Sequence, residues 1–235
     1  MTFTEKARKA AAASWQGSFS HPFITELQAG TLDQNIFRYY LIQDHYYLKH
    51  FNRLYTLTAE QTSHPELKAM LYRNAEHLAL GELAIRKDFF EELEITENEL
   101  AVVPVAPTAY HYVSHLYRQL LEGTPNAAAA SLLPCSWLYQ ELGTSLLSKQ
   151  SPVPIYQRWI ESYAGADTLE NVQQERAVID QLYTESTPEV QEKMMEAFII
   201  SSEMEYAFWE MSYQRETWKK DTAVTESQTA GHSKV

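Results

Sequence analysis

Cysteine occurs once in this 235-residue chain, glycine seven times and proline nine times, and cationic side chains are outnumbered by anionic ones, 19 to 31. A single thiol cannot close an intramolecular disulfide, so a reducing compartment is expected. Scarce glycine and proline leave no linker-like run between two halves, and the reading is one domain over residues 1–220 with a disordered polar tail at 221–235. A formal net charge of −12 argues against a phosphate-tracking surface and hence against nucleic acid as a partner. No apolar run approaches the roughly 20 residues needed to cross a bilayer, and the alanine-rich amphipathic start lacks the apolar stretch of a secretion signal. A soluble, cytoplasmic protein is expected.

Metal and phosphate motifs are missing too. None of the eight histidines has a glutamate three residues before it, and there is no His-Glu-x-x-His, Cys-x-x-Cys or glycine-rich phosphate loop. The expectation is no metal and no cofactor.

What the chain has is helical periodicity. Period-two alternation with β-branched enrichment is not found, so the fold class is all-α, a multi-helix bundle of about ten helices. The spacing predicts a helix over about 4–17 and a short one ending near 29–30. Asp33 then caps a long helix to about residue 61, in which Phe37, Tyr40, Leu41, Asp44, Tyr47, Leu48 and Phe51 recur at three- and four-residue steps. His64-Pro65-Glu66 opens a helix to about residue 94. After a proline-bearing connector at 103–107 come helices over 108–121, 126–147, 154–163, 168–185 and 190–220.

Three places in this pattern hold groups capable of chemistry. Cys135 follows Pro134 inside a helical stretch and shares a face with Tyr139, while Trp137 points elsewhere. It reads either as a small buried hydrophobe or as a nucleophile presented where a proline disturbs the helix. Asp44 and Tyr47 lie on one face amid Tyr40 and Phe51, so the carboxylate is either satisfied within the core or meets a ligand bearing amino groups. Glu205 shares a face with Ser202, Phe208 and Trp209, with Glu203 turned away. It is either a rim glutamate or a buried one that desolvation keeps protonated, as a general acid near neutral pH requires. Fifteen tyrosines supply walls suited to a flat heteroaromatic ligand.

Four segments, in this order and spacing, carry a resemblance: Gln43-Asp44-His45-Tyr46-Tyr47-Leu48, Pro107-Thr108-Ala109-Tyr110-His111-Tyr112, Leu133-Pro134-Cys135-Ser136-Trp137-Leu138-Tyr139, and Ser201-Ser202-Glu203-Met204-Glu205-Tyr206-Ala207-Phe208-Trp209. From about residue 3 to 218 the chain resembles the TenA family, the thiaminase II enzymes. That resemblance implies a haem-oxygenase-like fold without haem, a homotetramer, and hydrolysis of 4-amino-5-aminomethyl-2-methylpyrimidine to the 5-hydroxymethyl compound and ammonia in thiamin salvage. Cleavage of thiamin itself to hydroxymethylpyrimidine and thiazole is implied as well.

Carried over by residue, the resemblance makes Cys135 the nucleophile that adds to the pyrimidine and Glu205 the general acid. Asp44 would bind the amidine edge of the ring, and Tyr47 would hydrogen-bond the thiol. Tyr112, Tyr139 and Tyr163 would line the pocket, and Phe208 would pack the ring. Cys135 also implies the cysteine-containing branch of the family. After Tyr163 the chain departs from the usual acidic-aromatic pair and reads Ala164-Gly165-Ala166-Asp167-Thr168-Leu169. The rival reading is a helical protein that binds a pyrimidine or regulates a partner without turnover.

Overall fold

The computed structural model describes residues 1–219, and of residues 81–86 only the backbone. The expected tail at 221–235 lies outside the described residues. Those described form twelve α-helices, one π-helical turn and no strand: α1 (Phe3–Ala10), α2 (Ala12–Ser20), α3 (Pro22–Ala29), α4 (Gln34–Gln61), α5 (Pro65–His77), the π-turn (Leu78–Glu82), α6 (Leu83–Glu92), α7 (Glu97–Val102), α8 (Pro107–Leu121), α9 (Pro125–Leu146), α10 (Pro154–Tyr163), α11 (Ala166–Glu185) and α12 (Pro188–Gln214).

Proline sets much of this division. Six of the nine prolines stand in the first turn of a helix, opening α3, α5, α8, α9, α10 and α12, where a missing N–H leaves no bond unmade. Side-chain caps complete several starts. Asp33 accepts from Asn35 N at 2.7 Å, and Thr124 accepts from Ala127 N at 3.1 Å. Pro104 and Pro152 lie in connectors, and Pro134 stands inside α9, which runs through it without a break.

Four boundaries differ from those the sequence suggests, and tertiary contacts accompany three of them. The first expected helix divides at Ala11 into α1 and α2, so that Phe3 packs on Tyr183 and Phe198 while Trp15 reaches Ser202 through its indole N–H at 3.0 Å. The expected helix to residue 94 is interrupted by the π-turn. Short α7 is capped by Thr96 and anchored through Glu99, which takes two bonds from Arg38 at 2.9 and 3.2 Å. The last helix stops at Gln214 because Arg215 turns left-handed and the following chain is drawn onto the 103–108 connector. There Glu216 accepts from Thr108 N at 2.9 Å, and Trp218 donates to Val105 O at 2.8 Å.

The buried apolar side chains form one cluster centred on α9 and α12, with α4 packed against α5, α8, α9 and α12. Ala127, Ala128, Ala129 and Ala130 keep the first turns of α9 slim, and Gly143 does the same further along. A Cβ at Gly143 would lie 2.8 Å from the backbone carbonyl carbon of Tyr163, so glycine is what allows α9 to meet the end of α10. That approach seats Tyr163 against Tyr139 with ring centroids 4.9 Å apart.

Gly143→Ala should therefore lower stability by about 1–2 kcal/mol, the overpacking outweighing alanine's better helix propensity. The check is the urea midpoint of the variant beside that of the parent chain.

Candidate active site

A cavity of about 290 Å³ opens among α4, α5, α9, α10 and α11. Leu41, Leu48, Phe51, Phe89 and Trp159 supply apolar and aromatic wall, while Asp44, Cys135, Tyr139 and Tyr163 bring polar groups to it. The volume suits a single substituted aromatic ring. Asp44 is buried, and Cys135 is partly accessible.

Behind Cys135 lies a hydrogen-bonded core. Glu205, 2 % exposed, accepts the Tyr112 hydroxyl at 2.6 Å and is also hydrogen-bonded to the Cys135 side chain. Burial pushes the Glu205 carboxyl up to about 8, and the neighbouring Asp44 charge adds to the rise. The bonds from Tyr112 and Cys135 oppose it without cancelling it. Glu205 is thus a carboxylic acid that keeps its proton near neutral pH while touching a thiol.

Tyr47 and Tyr112 stack obliquely at 4.8 Å, and Phe208 packs on Tyr47 at 5.7 Å. Both hydroxyls are pushed well above their ordinary value, first by burial and then by the charges of Cys135, Glu205 and, for Tyr47, Tyr112. Tyr47 Oη lies beside the Tyr112 hydroxyl and near enough to Cys135 to feel its charge. The Tyr139 hydroxyl accepts from Tyr40 at 3.4 Å, a weak bond, and its ring contacts Trp209 at 5.1 Å.

The eight expected site residues come from α4, α8, α9, α10 and α12 and fall into two groups. Asp44, Cys135, Tyr139 and Tyr163 line the cavity. Glu205, Tyr47, Tyr112 and Phe208 pack against them, with Glu205 meeting Cys135 and Asp44, and Tyr47 meeting Tyr112 and Phe208. The Tyr112 hydroxyl is turned onto Glu205, and Tyr47 lies near enough to Cys135 to feel its charge. Asp167 and Thr168, from the segment that departs from the family pattern, contribute to the cavity wall.

Sequence reasoning missed Glu175. It is buried on the cavity wall, accepts from Ser136, Asn74 and Asn171, and is pushed up to about 7 by burial against those bonds. A signal existed, since Glu175 interrupts the otherwise apolar stripe Val172, Ile179, Leu182 on α11.

Comparison with known proteins places this arrangement. Residues 8–215 match the model of the TENA/THI-4/PQQC family. The chain is 41% identical over 234 residues to the aminopyrimidine aminohydrolase of Bacillus subtilis, covering 100% of this chain and 99% of the relative. It is 28% identical to the enzyme of the same name from Helicobacter pylori, over 85% and 93% of the two chains. Among solved structures, the TenA homologue of P. horikoshii superposes with a TM-score of 0.82 at 26% identity, covering 91% of this chain and 99% of that one. A Shewanella denitrificans domain of unknown function with a heme oxygenase-like fold gives 0.71 at 13% identity, covering 92% and 93%, a likeness of fold alone. The all-α, haem-oxygenase-like architecture expected from the sequence is the one observed.

The raised acids make stability depend on pH. An unfolded glutamate ionises near 4.5, whereas folded Glu205 holds its proton to about 8 and Glu175 to about 7. Between those values the folded state binds more protons, so stability is greatest at the acid end and falls as pH rises. Glu205→Gln should flatten that fall between about pH 5 and 8, read as melting temperature against pH.

Proposed function

This chain belongs to the TENA/THI-4/PQQC family, and on that premise we propose that it hydrolyses 4-amino-5-aminomethyl-2-methylpyrimidine to the 5-hydroxymethyl compound and ammonia, a thiamin-salvage reaction. The observation that carries the reading is the contact between Glu205 and Cys135 at the wall of a ring-sized cavity. A neutral pyrimidine is a poor electrophile until a ring nitrogen gains a proton, and a protonated carboxyl beside a thiol supplies both needs.

The steps follow from these groups. Asp44, buried on the cavity wall, accepts from the amidine edge of the ring and fixes its orientation. Glu205 gives its proton to a ring nitrogen and takes up the thiol proton as the Cys135 sulfur bonds to a ring carbon, which leaves an electron-rich ring. Those electrons expel the 5-methylene substituent, bound as its ammonium form, as neutral ammonia. Water adds to the methylene so exposed and gives up one proton to solvent, and loss of the sulfur, with the ring-nitrogen proton passing to it, restores the aromatic ring and returns the thiol. Tyr112 holds the Glu205 carboxyl in place through its 2.6 Å bond. Tyr47, beside Tyr112, turns its hydroxyl toward the thiol. Tyr139 and Tyr163 border the ring, and Phe208 supports Tyr47 from behind.

Cleavage of thiamin to hydroxymethylpyrimidine and thiazole belongs to the same reading, because the chemistry differs only in the leaving group. So does membership of the cysteine-containing branch, which rests on Cys135. We assign the enzyme to the cytoplasm, with no nucleic-acid partner, and to a homotetramer whose contacts would cover exposed apolar side chains such as Tyr110, Leu121 and Leu169. No helix among the described residues is long and apolar enough to cross a membrane.

Ammonia release from the aminomethylpyrimidine tests the proposal directly. Cys135→Ala should cut the rate at least about a thousandfold while still binding the ring; unchanged release would remove Cys135 as the nucleophile, and no release by either protein while both bind the pyrimidine would leave the non-catalytic binder or regulator standing. The wild-type rate should fall above about pH 8 as Glu205 loses its proton. Tyr112→Phe deletes a bond that lowers the Glu205 value, so its pH profile should keep its shape with the basic limb displaced upward.

A further inference from the structure

The same cavity carries a second buried acid for which the hydrolysis above has no use. Glu175, on α11, accepts the amide N–H groups of Asn74 from α5 at 2.7 Å and of Asn171 at 2.9 Å through Oε1, while Oε2 takes the Ser136 hydroxyl from α9 at 2.5 Å. All four residues border the cavity. Ser136 follows Cys135 directly, so this cluster begins about 100° around α9 and about 1.5 Å along it from the thiol.

The cluster is left one-sided. Asn74 is 3 % exposed, and with its Nδ2 committed to Glu175 its Oδ1 is buried without a partner. A clip serving only to join three helices would not need that uncompensated acceptor, and an orphan of this kind is costly. One N–H of each amide and the Ser136 hydroxyl are directed at the carboxylate. Acceptor capacity is left over, on Asn74 Oδ1 and on a carboxylate with more lone pairs than donors. The missing group is therefore an N–H or O–H donor, and a cationic one is favoured by the charge of Glu175.

We propose that Asn74, Ser136, Asn171 and Glu175 form a subsite for a primary ammonium group, carried on the methylene substituent of the bound pyrimidine. This rests on the aminopyrimidine reading above. Its chemical sense lies in the leaving group: a carbon–nitrogen bond that breaks with its electron pair going to nitrogen releases neutral ammonia only if that nitrogen is already protonated. Holding it as ammonium against Glu175 prepares it to leave, whereas the hydroxymethyl product offers no cation and is held less tightly there.

The test uses two ligands and a protein that does not turn them over. Dissociation constants of the aminomethyl and hydroxymethyl pyrimidines are measured by calorimetry on Cys135→Ala alone, and with Glu175→Gln or Asn74→Ala added. Either added change should weaken the aminomethyl compound about tenfold or more and the hydroxymethyl compound less than about threefold. Equal weakening of both ligands, or of neither, would overturn the subsite and reduce the cluster to a structural clip. Ammonia release by the wild-type enzyme separates the two claims. If it is present while the variants do not discriminate, only the subsite fails; if it is absent and Cys135→Ala binds neither ring, the hydrolase reading fails with it.

Discussion

A carboxyl group enclosed by aromatic side chains must either surrender its charge or be surrounded by donors, and α12 places Glu205 under that constraint. The response here is mixed. Tyr112 and Cys135 both bond to it, yet burial dominates, and the group remains protonated near neutral pH. Everything else around the site follows from maintaining that state. Tyr47, Tyr112 and Phe208 exclude water behind the thiol, and Asp44 contributes a like charge that further disfavours ionisation. An acid with this environment is uncommon, and it makes chemical sense beside the Cys135 thiol that we propose as nucleophile.

The scaffold holds these groups by close packing rather than by ion pairs. The ion pairs among the described residues are largely at the surface, such as Lys193 with Glu189 and Arg118 with Glu122, and contribute little. By contrast Tyr40, Tyr139, Trp159, Trp209 and Phe23 form a continuous aromatic block beneath the cavity, linking α3, α4, α9, α10 and α12. Such rings fix their neighbours by shape, and small residues on α9 let the block close. The cavity walls inherit that rigidity, which is what a site needing a thiol and an acid in fixed relation requires.

Periodicity and capping made most of the architecture legible beforehand. Asp33 and the first-turn prolines mark helix starts through purely local physics, and the start of α4 and its end at Gln61 agree with that reading. Where local signals were silent, the reading failed in consistent ways. The early end of α12 at Gln214 arises from contacts with a distant segment, and a helical pattern cannot record a bond such as Thr108 to Glu216. Short α7 escaped notice because six residues offer less than two turns of pattern.

Chemistry divides along the same line. The sequence by itself determined that the molecule is all-α, that it resembles the TenA family, and which side chains are candidates, because helical spacing alone shows that Cys135 shares a face with Tyr139, and Glu205 with Phe208. Only the tertiary structure decided which candidates meet. It put Glu205 from α12, Tyr112 from α8 and Cys135 from α9 in one hydrogen-bonded group. It alone brought Asn74, Ser136 and Asn171 around Glu175, from three helices. The reason is physical: a helix fixes the direction of a side chain about its own axis, but desolvation and hydrogen-bond partners come from the other helices packed against it.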